Sequence, residues 1–147
     1  MSVEVQKIKT VRKEYDLKRI RFIPNVIEKK FLIESINGNL HVIKDLVKKG
    51  VDINAQDGQA LIFSAENGHL EIIKYLVKNG ADIHVQNNEA LITSAHNGYL
   101  KIVKYLVENG ADIHAQNNQV DYSIKLHTPN KQLSSFIIRN RNLYNNN

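Results

Sequence analysis

At 147 residues the chain has room for one domain, and with no Cys it excludes both a disulfide framework and any cysteine-ligated metal site. Its net charge of +5 is confined to residues 1–30, where nine Lys or Arg face Glu4, Glu14, Asp16 and Glu28; the rest of the chain sums to zero. No apolar run has the length of a membrane span, and residues 1–30 lack the apolar stretch of a secretion signal, so the expectation is a soluble intracellular chain in the cytoplasm.

Residues 1–24 form a basic arm. Val5, Ile8, Val11 and Tyr15 fall at helical spacing with Lys7, Lys9, Arg12 and Lys13 among them, and Pro24 ends whatever Lys18–Ile23 forms. Such an arm has two uses. It can attach to nucleic acid, an anionic membrane or an acidic partner. It can equally cover the end of the fold that follows, which its apolar content favours.

Residues 25–56 carry a degenerate version of a pattern that is clearest in the next sixty residues. Asp57–Gln86 and Asn87–Gln116 are one thirty-residue unit written twice, differing at positions 57, 58, 59, 63, 66, 69, 71, 73, 78 and 85 of the first copy. A fixed period of this size marks stacked repeats, each needing a neighbour to bury its apolar face. In the second copy Ala90, Leu91, Ser94 and Ala95 make a small-residue helix face, and Asn97-Gly98 interrupts it. Leu100, Val103, Leu106 and Val107 then make a broader stripe, with Lys101, Lys104 and Glu108 opposite. Gly110 ends the second helix, and Ala111-Asp112-Ile113 leads out to Asn117-Asn118, the counterpart of Asp57-Gly58 and Asn87-Asn88. The unit reads helix, turn, helix, return loop, tight turn. In residues 25–56, Phe31, Leu32 and Ser35 keep the first-helix face, while Lys29, Lys30 and Glu34 give it the polar side of an end repeat. Residues 117–140 read as a decayed, capping repeat with Thr128-Pro129 starting its second helix and Leu133, Phe136 and Ile137 its apolar stripe; residues 141–147 read as a disordered tail.

The run Asn67-Gly68-His69-Leu70-Glu71-Ile72-Ile73-Lys74-Tyr75-Leu76-Val77, followed by Gly80-Ala81-Asp82-Ile83, resembles the second helix and exit of an ankyrin repeat. Asn37-Gly38 and Asn97-Gly98, then Gly50 and Gly110, repeat the match at the same offsets. The resemblance implies an all-α ankyrin-repeat solenoid of stacked helix-turn-helix units with tight turns between repeats. The units depart from the family in two ways. They are shorter than the usual ~33 residues, with the loss falling between Ile83 and Leu91 where the family builds a projecting finger. Gln59-Ala60-Leu61-Ile62 and Glu89-Ala90-Leu91-Ile92 also stand where the family has Thr-Pro-Leu-His. Such units resemble ankyrin proteins of large DNA viruses of amoebae, and 18 Ile with 18 Asn suit an AT-rich genome.

The residues themselves offer no nucleophile or acid/base pair with a supporting group, no glycine-rich phosphate loop and no metal set, so neither catalysis nor a cofactor is expected. His84 and His114 share one repeat position beside the return loop and read as polar surface. The resemblance implies instead an unidentified protein partner, of the host if the chain is viral. It would be held on the concave side by Gln56, Gln59, Phe63 and Glu66 of one unit and Gln86, Glu89, Thr93 and His96 of the next. Phe63 is the expected anchor if exposed and a core residue if it points into the seam. The spacing Leu46, Asp52, Ile53, Asn54 also resembles an ankyrin site hydroxylated on Asn, which would make Asn54 a modification site.

Overall fold

The computed structural model describes residues 3–20, 25–115, 135–136 and 138–140. Among them the elements are α1 (Val3–Arg19), α2 (Val26–Asn37), α3 (Leu40–Lys48), α4 (Ala55–Glu66), α5 (Leu70–Lys78), α6 (Val85–His96) and α7 (Leu100–Glu108), with no strand. Pro24, Thr128-Pro129, Leu133, Ile137 and the tail lie outside the described residues.

Helices α2 and α3, α4 and α5, and α6 and α7 form three hairpins. Their ends follow from local chemistry. At the close of α5 the Ala81 N–H donates to Leu76 O (2.9 Å) and Gly80 N–H to Val77 O (3.2 Å), the paired bonds that a left-handed residue at this place permits. Gly50-Val51 and Gly110-Ala111 repeat the pattern on α3 and α7. In each return loop a carboxylate tightens the turn: Asp52, Asp82 and Asp112 accept from the backbone N–H of Asn54, His84 and His114 at 2.8–2.9 Å. The first hairpin alone has a side-chain cap, Asn25, whose Oδ1 accepts from Ile27 and Glu28 N–H.

The hairpins stack in register, so first helices lie beside first helices and second beside second. Contact is close along α2, α4 and α6 and much sparser along α3, α5 and α7. The first helices are the layer that the ankyrin resemblance places on the inner side. Between the layers runs one apolar seam, from Phe31, Leu32 and Ile43 through Leu61, Ile72 and Leu76 to Leu91, Ile102 and Leu106, all fully buried. At its N-terminal end Ile20 enters the seam with 2% of its surface exposed, and α1 rests on α2. Val11, expected in the apolar stripe of α1, is 67% exposed and faces away from the stack. At the other end Phe136 is half-buried against the core with the Lys104 ammonium 5.6 Å from its ring centroid.

Successive hairpins meet through contacts that join residues about one period apart. The His69 ring lies against Gly38 and places Nε2 2.9 Å from Ile36 O; Tyr99 lies against Gly68 in the same way. Asn54 bridges two return loops, its Nδ2 donating to Gly80 O (3.0 Å) and its Oδ1 accepting from Asp82 N–H (2.9 Å). In the next unit His84 occupies Asn54's place, and Asn88, from the tight turn, supplies the acceptor for Asp112 N–H at 2.9 Å.

Candidate functional site

The tight turns are longer and more unusual than a two-residue reversal. Gln56, Asp57 and Gly58 all have left-handed backbone (φ 54°, 55° and 71°), as do Gln86, Asn87 and Asn88 (φ 47°, 55° and 64°). One left-handed turn closes on Gly58 N–H to Asn54 O, and the other on Asn88 N–H to His84 O. It stands in place of the family's finger and brings the chain straight from return loop to inner helix. For a residue other than Gly the conformation costs about 1–2 kcal/mol, less for Asn or Asp. Gln86 has neither exemption. The sequence pattern marks only the dipeptides Asp57-Gly58 and Asn87-Asn88 as a turn; nothing in the side chain of Gln56 or Gln86 signals the third left-handed residue.

These turns hold two of the expected docking residues at adjacent tips. Gln56 and Gln86 are exposed, with Gln56 Nε2 donating to Glu28 Oε2 (3.1 Å) and Gln86 Nε2 to Asp57 O (3.3 Å). Gln59 and Glu89 are half-buried one turn further in, and Glu66 and His96, half-buried and exposed, close the inner helices. Thr93 is half-buried with its hydroxyl returned to Glu89 O at 2.9 Å. Because α4 and α6 are neighbours, these pairs form columns running across the stack.

Phe63 does not join them. It is buried completely, with none of its surface exposed, and belongs to the seam. The expectation of an aromatic anchor fails there because the ring is packed wholly into the core cluster, whereas the smaller Thr93 at the same repeat position stays half-buried. The pattern of differences between the two copies loses force for the same reason. Positions 58, 63 and 73 are buried and 69 and 85 pack on the preceding hairpin, which leaves 57, 59, 66, 71 and 78 as surface changes.

Charge is divided between the layers. Helices α4 and α6 with their tips carry Asp57, Glu66 and Glu89 and no Lys or Arg, whereas α5 and α7 carry Lys74, Lys78, Lys101 and Lys104 against Glu71 and Glu108. The inner side is therefore acidic and the outer side basic. Asn54 is exposed at the loop edge, and both ends of its amide are engaged by the following loop. Among the described residues no three His, Cys, Asp or Glu converge to hold a metal, and no helix is long and apolar enough to cross a membrane.

Paired helices stacked at a thirty-residue period define a helical repeat protein of the solenoid class. The family model for ankyrin repeats matches residues 31–117 in three copies, more than half of the chain. The chain belongs to the ankyrin repeat family. No curated protein matches it.

Proposed function

We propose that this ankyrin stack is a non-catalytic protein-binding module that docks its partner on the inner face, through the tips Gln56 and Gln86 and the flanking Gln59, Glu66, Glu89, Thr93 and His96. The observation that carries this reading is the left-handed backbone at exposed Gln56 and Gln86. Glycine adopts that conformation without penalty. Each side-chain bond of the two glutamines returns about 0.5–1.5 kcal/mol against a conformational cost of about 1–2 kcal/mol. Strain kept at equivalent exposed places in successive turns supports a role outside the fold. A rigid face also spends little ordering entropy on binding. Its acidic residues favour a partner whose contact surface is basic. The shortened unit and the Ile- and Asn-rich composition support a viral source, and with it a host protein as that partner.

The test is retention of host proteins by the full chain and by two variants of confirmed fold. One replaces Gln56, Glu66, Glu89 and His96 with Ala; the other replaces Lys74 and Lys101 on the outer layer. The inner variant should bind at least about tenfold more weakly and the outer one normally. The rival reading is attachment through the basic arm. It predicts that both variants bind normally and that reversing Lys7, Lys13 and Lys18 to Glu abolishes retention. The burial of Ile20 supports a capping role for the arm instead.

Gln86→Gly separates stability from docking. It should raise stability by about 0.5–1 kcal/mol in chemical denaturation by removing the strained conformation. It should also weaken binding, and unchanged affinity would remove the tip glutamine from the docking face.

A further inference from the structure

Five Asn-Gly dipeptides punctuate the described repeats: Asn37-Gly38, Asn67-Gly68, Asn79-Gly80, Asn97-Gly98 and Asn109-Gly110. The pairing is the one most open to deamidation, because a residue without Cβ leaves its backbone nitrogen accessible to the preceding side chain. The Gly nitrogen attacks the Asn Cγ and loses its proton, the bond from Cγ to the amide nitrogen breaks, and ammonia leaves from a succinimide ring. Water opens the ring at either carbonyl to give Asp or isoaspartate. No electron transfer is needed, and water is the co-reactant.

The attacking nitrogen is hydrogen-bonded at all five, slightly more tightly at Gly38. Each Gly N–H donates to a carbonyl of the preceding helix, at 3.0 Å for Gly38 and 3.1–3.3 Å for Gly68, Gly80, Gly98 and Gly110. The side chains under attack are held very differently. Asn67, Asn79 and Asn109 donate Nδ2 to Phe63 O (2.9 Å), Tyr75 O (2.7 Å) and Tyr105 O (2.8 Å) of their own helices. Asn97 Nδ2 donates to Glu66 O of the neighbouring repeat at 3.3 Å. Asn37, the last residue of α2, is exposed and its amide makes no hydrogen bond to the described residues.

We propose that Asn37-Gly38 is a site of spontaneous deamidation, the first of the five to react in the folded protein. The other four amides must break a hydrogen bond before Cγ can swing to the Gly nitrogen. Asn37 has no such step. The product acts on a joint of the stack, because the His69 ring lies so close to Gly38 that a Cβ there would stand 2.7 Å from its Cε1. The isoaspartyl form inserts a backbone methylene beside that contact and adds a carboxylate to the turn. It therefore loosens the first hairpin from the second.

Incubation of the folded full chain at mildly alkaline pH, followed by peptide mapping that resolves Asn, Asp and isoaspartate, tests the proposal. Product at Asn37 should accumulate about fivefold faster than at the other four sites, the factor that one neutral hydrogen bond is worth. In urea the five rates should converge, and Asn37→Gln should remove the leading product from the folded chain. Equal rates in the folded protein at Asn79 or Asn109, which are also exposed, would overturn the proposal. So would a lead for Asn37 that persists undiminished in urea, since it would then owe nothing to the fold.

Discussion

Replacing Phe63 with Ala should destabilise the stack by about 3–5 kcal/mol, the range for truncating a fully buried aromatic ring. The ring sits in the seam with no exposed surface, so its loss opens a cavity between adjacent inner helices. Each repeat relies on the interface with the next. At this size the expected fall in melting temperature is roughly 10–20 °C, read by circular dichroism. Small domains have about 5–15 kcal/mol in hand, so this one substitution can remove much of the total. Phe63→Leu keeps most of the volume and should cost under about 1.5 kcal/mol. That milder variant decides the role of the residue. A docking anchor would lose about 2 kcal/mol or more of binding on such a change, whereas a core residue leaves affinity as it was. Weakened binding by a stably folded Phe63→Leu protein would return Phe63 to the docking face.

Gly58→Asn should cost about 1–3 kcal/mol in its own setting and much less when Val85 is changed to Ala with it. The physical reason is a matched pair between repeats. A Cβ at Gly58 would stand 2.9 Å from both methyls of Val85, a contact that forces the neighbour to shift. One repeat later Asn88 takes the place of Gly58 and Ala115 that of Val85, and the Asn is buried with its amide oxygen on Asp112 N–H. The double variant copies the packing of that second pair into the first interface, where Asn54 already accepts from the equivalent Asp82 N–H. Chemical denaturation of the four proteins in the cycle should give a coupling of about 1–2 kcal/mol in favour of the double variant. Additive effects would show that the two differences between the copies arose independently.

Much of this architecture is legible in the sequence. The thirty-residue period, the two helices of each unit and the glycines that end them are local rules repeated in three successive units. Gly50, Gly80 and Gly110 close α3, α5 and α7 as expected, since a left-handed C′ residue is chosen by the helix it terminates. The stripe of Leu100, Val103, Leu106 and Val107 was readable for a similar reason: a helix turns every 3.6 residues whatever lies opposite. Asn54 and Phe63 were not readable in this way. The one is tied to a loop about one period away, and the other is packed into the core of the stack.

The sequence by itself determined the thirty-residue unit and its ankyrin character over residues 31–117. Those features depend on interactions within a few residues of one another. The tertiary structure decided which of the nominated inner-helix residues face outward, and it separated Gln56 and Glu66 from Phe63. It also set the left-handed tips, paired Gly58 with Val85, and left Asn37 as the one Asn-Gly amide with no hydrogen bond among the described residues. Each of these outcomes is fixed by contact with, or packing against, another part of the stack, and a pattern confined to one unit carries no record of what the next unit presses against it.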